Sequence, residues 1–347
     1  MKVVVAMSGG VDSSVAAYLM RQRGFEVVGL SFELWDERDR RNPNICCCQE
    51  TIEIARDVAG KLGIEHYTVD VRYVFFRYVI EEFCSSYISG VTPNPCILCN
   101  KFIKFDFLLR KAQELGAQMI ATGHYVRIMN GLLKKGIDPK KDQSYVLYVM
   151  TQRELSKAIF PLGELKKDEV RDIAKRLGLA SALRPESQEI CFIGNGKYVD
   201  FIKDVFPEAV RPGPILNMDG KVIGKHKGLA HYTIGQRRRL GISASKPLYV
   251  IDIQRKDNTI VVGRREDAMK KTFKVKELNW ISIESLREPL RAGVKVRSTM
   301  KEEPAKIIPV EDHNIMVEFD KPQWAPAPGQ SAVFYDGDIV IGGGVIV

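Results

Sequence analysis

The feature that most constrains the fold is the join between an apolar run, Val3-Val4-Val5-Ala6-Met7, and the sequence Ser8-Gly9-Gly10-Val11-Asp12-Ser13. An apolar run rich in β-branched residues reads as a strand buried on both faces, the kind found in parallel sheets covered by helices. The residues that follow, Ser14-Val15-Ala16-Ala17-Tyr18-Leu19-Met20, read as a helix. The glycines therefore fall on a strand-to-helix turn. Backbone N–H groups at such a turn lack intrahelical partners and lie at the positive end of the helix dipole. Gly9 and Gly10 place no Cβ in the way, so the turn is shaped to receive a phosphate, with Ser8 and Ser13 adding hydroxyl donors. The Gly-Lys-Ser/Thr ending of a Walker A loop is absent. Asp12 is an acid among phosphate ligands, which calls either for Mg²⁺ between it and a pyrophosphate or for a helix-capping role.

The first 125 residues alternate short apolar runs with helical patterns. Strands are expected near Lys2 to Met7, Glu26 to Phe32, His66 to Asp70 and Met119 to Thr122, and a helix from Gln49 to Leu62. This alternation predicts an α/β domain with a parallel sheet, whose ligands bind beyond the carboxyl ends of the strands. The glycine turn, the segment after Phe32 and the pair Gly123-His124 all fall on that edge. From about Arg211 turn signals such as Met218-Asp219-Gly220, Lys256-Asp257-Asn258 and Tyr335-Asp336-Gly337 separate short apolar runs, a mostly β texture. The charged stretch Arg264 to Thr272, without strand character, divides it. Three domains are expected, over residues 1–210, 211–270 and 271–347.

The chain of 347 residues carries a net charge of +9, and its distribution says more than its size. Residues 1–150 hold 19 basic and 17 acidic side chains, which leaves +7 for the remainder. Arg211, Lys221, Lys225, Lys227, Arg237, Arg238 and Arg239 cluster against the single acid Asp219, interleaved with His226, His231 and Tyr232. Such a stretch suits either a phosphate backbone or a solvated face. No apolar run approaches membrane-spanning length, and the expectation is a soluble cytoplasmic protein without membrane contact.

Seven cysteines, Cys46, Cys47, Cys48, Cys84, Cys96, Cys99 and Cys191, do not form the evenly spaced framework of a small secreted protein. Two prolines in Thr92-Pro93-Asn94-Pro95-Cys96-Ile97-Leu98-Cys99 place Cys96 and Cys99 near a helix start, where the dipole favours thiolate, and Lys101 and Lys104 add positive charge. Buried structural thiols, zinc ligation, a redox Cys-x-x-Cys pair and sulfur transfer all compete. Only sulfur transfer, with a persulfide on one cysteine and another to resolve it, also uses the phosphate loop. Cys46, Cys47 and Cys48 receive no role.

Taken together these segments identify a resemblance. The loop Ser8 to Ser13 resembles the SGGxDS loop of ATP pyrophosphatases. With it come Thr92 through Asn100 and Ile103-Lys104-Phe105, Ala121-Thr122-Gly123-His124-Tyr125, Lys141-Asp142-Gln143-Ser144-Tyr145, Ile190-Cys191-Phe192-Ile193, His231 through Arg237, and Pro328 through Val333. In this order they resemble the tRNA-specific 2-thiouridylases (MnmA/TrmU) over essentially the whole chain. The resemblance implies an adenine nucleotide α-hydrolase-like (PP-loop) catalytic domain followed by two small mostly β domains. It implies ATP and Mg²⁺ as cofactors, and replacement of the C2 oxygen of a wobble uridine by sulfur. Its partners would be the anticodon stem-loop of a tRNA and a sulfur-donor protein or relay.

By the same resemblance ATP binds along Ala6, Met7, Ser8, Gly9, Gly10, Val11, Asp12 and Ser13, with Phe32 and Gly123 near adenine and ribose. Cys99 is the implied nucleophile and Cys191 the implied persulfide carrier. Asn94, Pro95, Cys96, His124, Lys141, Asp142, Gln143, Arg297, Ser298 and Gln330 are implied tRNA contacts. The chain departs from one form of the pattern at Cys96, where many members carry Asp. Cys96, Cys99 and Cys191 could then hold a [4Fe-4S] cluster with an open iron as sulfur donor, so persulfide and cluster both stand open. A lysidine-type or amide-forming ligase with the same loop would not need the cysteines, and a plain RNA-binding module would not release pyrophosphate.

Overall fold

The computed structural model describes residues 1–34, 49–183, 190–193, 198–206, 210–311 and 313–347. Cys46, Cys47 and Cys48 lie outside the described residues, as do Glu186 to Glu189 next to Cys191. By contacts the chain divides into two units. The first comprises Met1–Val79, Pro95–Asn195 and Asp338–Val340, the second Ile80–Asn94, Gly196–Gly337 and Ile341–Val347.

The first unit is built on a five-stranded sheet: β1 (Lys2–Ala6), β2 (Glu26–Glu33), β3 (Glu65–Asp70), β4 (Met119–Ala121) and, beyond a hairpin of β5 (Val126–Met129) and β6 (Leu132–Lys135), β7 (Ala158–Ile159). Their order is β3-β2-β1-β4-β7. Neighbouring strands run parallel throughout, with Val4 opposite Val28 and Ile120. The four strands expected from the apolar runs are all present. β1 reads as an unbroken apolar run because both of its faces are buried, Val3, Val4 and Val5 alike. Helix α1 (Val11–Gln22) turns Val15, Ala16, Ala17 and Met20 inward, and α2 (Gln49–Leu62) turns Ala55, Val58, Ala59 and Leu62 inward. Both sets meet Val3, Val5 and Met7 in one core. The three- and four-residue spacing of these positions is what gives each helix a single apolar face. The consequence for function is placement: the carboxyl ends of β1, β2 and β4 open on the same edge.

In the second unit β8 (Gly213–Leu216), β9 (Val222–His226), β10 (Tyr249–Gln254) and β11 (Thr259–Gly263) form a four-stranded sheet in the order β10-β11-β8-β9. β12 (Met269–Trp280), β13 (Leu290–Lys295), β14 (Glu303–Pro309), β15 (Ile315–Trp324), β16 (Ser331–Asp336) and β17 (Ile339–Ile346) follow. Val275 of β12 pairs with Ile315 of β15 on one side and with Ile346 of β17 on the other, which closes a barrel. Alternate residues such as Phe273, Val275, Ile315, Val317 and Phe319 point into its core. The charged stretch expected to separate the β regions is shorter than it reads, because Met269 to Thr272 already belong to β12. Pairing with Trp324, Gln323 and Glu318 of β15 overrides the weak strand character of three polar residues.

Candidate functional site

At the end of β1 the chain makes the turn that the glycines predicted. Gly9 has φ +73°, and a Cβ there would collide with the Thr51 carbonyl. Gly10 is the N-cap of α1, and no side chain caps it. Asp12 therefore does not act as the helix cap. Ser13 Oγ donates to the Gly10 carbonyl at 3.0 Å and accepts from the Ser8 N–H at 3.1 Å, so it binds the loop into a closed ring. Gly123, beyond β4, backs against this ring: a Cβ on it would stand 2.8 Å from the Asp12 carbonyl carbon and 2.9 Å from the Ser13 nitrogen.

The loop forms one wall of a cavity of about 450 Å³. Ala6 through Ser13, Phe32 and Gly123 all line it, as do Cys96, Cys99 and Cys191. Residues distant in sequence thus meet at the sheet edge where a doubly covered parallel sheet binds its ligands. Ser31 and Lys167 line it too.

Asp12 is engaged from two directions. Lys167 Nζ stands 2.7 Å from Oδ1 and 2.8 Å from Oδ2, and the Tyr125 hydroxyl donates to Oδ1 at 2.7 Å. Lys167 is 5% exposed. Ser31 Oγ donates to the Met7 carbonyl at 2.6 Å, which leaves it to accept from His66 Nε2 at 2.9 Å. Burial, aided by the positive charge of Arg56, lowers the pKa of His66, consistent with a neutral ring.

The cysteines differ in exposure. Pro95 begins a helix over Pro95–Cys99 that continues as a π-helix over Asn100–Phe107 and an α-helix over Leu108–Glu114. Cys96 on its first turn is exposed while Cys99, one turn on, is buried. Asn100 Nδ2 donates to the Val146 carbonyl at 2.9 Å, which fixes the helix just beyond Cys99. Cys191 is half-buried in a turn closed by the Ile193 N–H on the Ile190 carbonyl at 3.0 Å. Phe192 anchors that turn edge-on against Phe75, ring centroids 5.6 Å apart. Among the described residues no three His, Cys, Asp or Glu side chains are grouped to hold a metal ion. Cys96, Cys99 and Cys191 all line the one cavity. Cys84 lies outside the cavity lining, its thiol pushed up to about 12 by burial.

Of the residues implied to touch tRNA, Pro95, Cys96, His124, Lys141 and Gln143 line the cavity. His124 is buried, its Nδ1 2.7 Å from Thr122 Oγ1. Burial, and then the charge of Lys104, holds its pKa well below the ordinary histidine value. Gln143 Oε1 accepts from the Tyr125 N–H at 2.9 Å. Asp142 does not line the cavity but shapes the loop, accepting from the Gly136 and Ser144 N–H groups at 3.2 and 3.1 Å and from the Ser144 hydroxyl at 2.8 Å. Asn94, Arg297, Ser298 and Gln330 belong to the second unit. There Gln330 Nε2 donates to the carbonyls of Thr92 and Pro93 at 3.0 and 3.2 Å, joining two segments singled out in the sequence. Arg297 Nη2 donates to the Ala325 carbonyl at 2.8 Å, and Ser298 is exposed.

Sequence reasoning did not single out Lys167, which sits in the charged stretch Lys166-Lys167-Asp168-Glu169. No local signal marks it, because its partner Asp12 is 155 residues away.

A glycine ring at the helix end of a parallel strand, facing a cavity with thiols, defines a HUP-type nucleotide domain joined to β modules. Family models agree: a tRNA methyl transferase HUP domain matches residues 1–195, a PRC-barrel domain residues 199–264 and an aminomethyltransferase β-barrel domain residues 270–346. The chain is 49% identical over 354 residues to tRNA-specific 2-thiouridylase MnmA 2 of Thermoanaerobacter sp. (strain X514), covering 99% of this chain and 97% of that one. It is 47% identical over 352 residues to MnmA of Clostridioides difficile (strain 630), covering 99% and 98%. A solved 4-thiouridine synthetase–RNA complex with bound ATP is a distant likeness, with TM-score 0.37 and 16% identity over 60% of this chain and 50% of that one. The chain belongs to the tRNA-specific 2-thiouridylase (MnmA) family.

Proposed function

We propose that the protein uses ATP to replace the C2 oxygen of a tRNA wobble uridine with sulfur, in the cytoplasm, along a persulfide route. The observation that carries this reading is that the glycine ring and the three cysteines line one cavity. A uridine carbonyl is a poor electrophile with oxide as leaving group. Attack of that oxygen on the α-phosphorus converts it into part of AMP, and the ring from Ser8 to Ser13 receives the departing pyrophosphate at the N-terminus of α1. Asp12 fits a Mg²⁺ ion, which takes one or two carboxylates and completes its shell with phosphate oxygens and water, and which would neutralise charge on the phosphates. Phe32 and Gly123, which line the same cavity, are proposed to bound the adenosine.

In the sulfur step the terminal sulfur of a persulfide on Cys191, loaded by a sulfur-donor protein, attacks C2 and AMP leaves. The Cys99 thiolate then attacks the Cys191 sulfur, which leaves the outer sulfur on the uridine and joins Cys99 to Cys191 as a disulfide. A thiol reductant restores both. The half-buried Cys191 keeps part of its surface open for loading from another protein, and burial of Cys99 suits a thiol kept for the resolving step. Asn94, Pro95, Cys96, His124, Lys141, Asp142, Gln143, Arg297, Ser298 and Gln330 are proposed to guide the tRNA. The base must leave its stack to be reached, as in other enzymes that act on a nucleobase.

Cys99→Ser and Cys191→Ser are each expected to abolish tRNA thiolation while tRNA-dependent pyrophosphate release persists. Full thiolation in both variants would overturn sulfur transfer through these thiols, and a wild-type chain that releases pyrophosphate without thiolating tRNA would leave an ATP-dependent RNA ligase. Anaerobically purified protein is expected to thiolate without stoichiometric iron; a cluster lost in Cys96→Ala would overturn the persulfide route.

A further inference from the structure

We infer that Lys167 is a polyphosphate-binding residue, held by Asp12 in the absence of nucleotide and transferred to the pyrophosphate portion of ATP when it binds. The inference rests on the proposed use of ATP and assigns a role to a side chain that the sequence motifs leave out.

Three observations converge. Lys167 is buried at 5% exposure, yet it lines the cavity beside the glycine ring. Its backbone is fixed, because it opens the helix Lys167–Arg176 and its N–H donates to Asp138 Oδ2 at 3.0 Å. Asp138 is anchored in turn by the Lys140 N–H at 2.9 Å. The Lys167 ammonium meets Asp12 at 2.7 and 2.8 Å and lies 5.7 Å from the centroid of the Tyr125 ring, whose hydroxyl binds the same carboxylate.

Burying a lysine costs its hydration, and a paired carboxylate offsets that cost. Here the carboxylate stands in the first turn of α1, where backbone N–H groups and the helix dipole draw an anion. Asp12 thus occupies, next to the ring, a place that suits a phosphate oxygen equally well. A phosphate arriving at the ring comes within the same reach and competes for the ammonium as a second charge-assisted acceptor. As the uridine oxygen bonds to the α-phosphorus and the Pα–O bond breaks, the electron pair leaves with the pyrophosphate. A fixed ammonium at that position stabilises the charge where it accumulates.

The test measures binding of ATP, inorganic pyrophosphate and AMP to the full chain by titration calorimetry in EDTA, so that no metal intervenes. Lys167→Met is expected to weaken ATP and pyrophosphate roughly tenfold or more, while AMP stays within about twofold. The double variant Asp12→Asn/Lys167→Met is expected to remain as weak for ATP. Equal weakening of AMP, or recovery of ATP binding in the double variant, would show that Lys167 only neutralises Asp12 and would overturn the inference. Should Lys167→Met fail to fold by circular dichroism, Lys167→Gln is read against the same criteria. A wild-type chain that binds no ATP would instead overturn the nucleotide reading on which the inference stands.

Discussion

Single side chains in the cavity show how burial selects a chemical state. His124 is enclosed among Thr122, Phe105 and Phe160, so the neutral imidazole is the form the fold accepts. The sign of its pH dependence follows from that. Above the ordinary histidine pKa of about 6.5 the ring is neutral in both folded and unfolded chains, and its contribution to stability is fully present. As pH falls below that value the unfolded chain takes up a proton that the folded ring refuses, and stability drops by up to about 1.4 kcal/mol per pH unit until the folded pKa is reached. His66 and His226, both lowered by burial, act in the same direction. Denaturant titrations between about pH 7.5 and 5.5 are expected to show this loss, with a shallower slope in His124→Gln. An unchanged slope in that variant would assign the loss elsewhere. His124 is legible as a motif member in Ala121-Thr122-Gly123-His124-Tyr125. Its enclosure is not, since Phe105 and Phe160 come from other segments.

Elements bring these side chains together through close backbone approach. The turn between β1 and α1 is local, so Gly9 and Gly10 can be read from the order strand, glycines, helix. Gly123 is different in kind. Its value lies in the absence of a Cβ against the backbone of Asp12 and Ser13, an approach made by the arrival of β4 beside β1. Gly123→Ala is expected to push the ring outward and lower ATP affinity by roughly tenfold or more, with the far-ultraviolet circular dichroism unchanged. Wild-type affinity in that variant would show that the ring yields without consequence. The helix that carries Cys96 and Cys99 is legible at its start, because Pro95 suits the first helical position. Its passage into a π-helix at Asn100 is not. Anchoring of Asn100 to the Val146 carbonyl is a tertiary contact, and π-helical segments often mark functional sites.

Across the whole molecule the charge pattern gains a structural setting. Arg211, Lys221, Lys225, Lys227 and Arg237 to Arg239 are all exposed, on or beside the four-stranded sheet of the second unit. If they meet the phosphates of tRNA they release counterions, so affinity falls steeply with salt. Replacing Arg237, Arg238 and Arg239 by Gln is expected to reduce the slope of log affinity against log salt by about one for each phosphate no longer neutralised. A slope equal to that of the wild type would mark the cluster as a solvated face. The barrel closes through β12 and β17, which are separated by most of the C-terminal region, and no local pattern announces such a pairing. By itself the sequence determined the strand-to-helix turn, the parallel strands, the β texture of the second half and the start of the helix that carries Cys96 and Cys99. Each of these is written in residues that are neighbours along the chain or recur at a fixed period. Only the tertiary structure decided that Lys167 meets Asp12, that Gly123 backs the glycine ring and that Gln330 holds Thr92 and Pro93. Those pairs are far apart along the chain, and their energies come from burial and hydrogen bonding that exist only once the sheet and the barrel have formed.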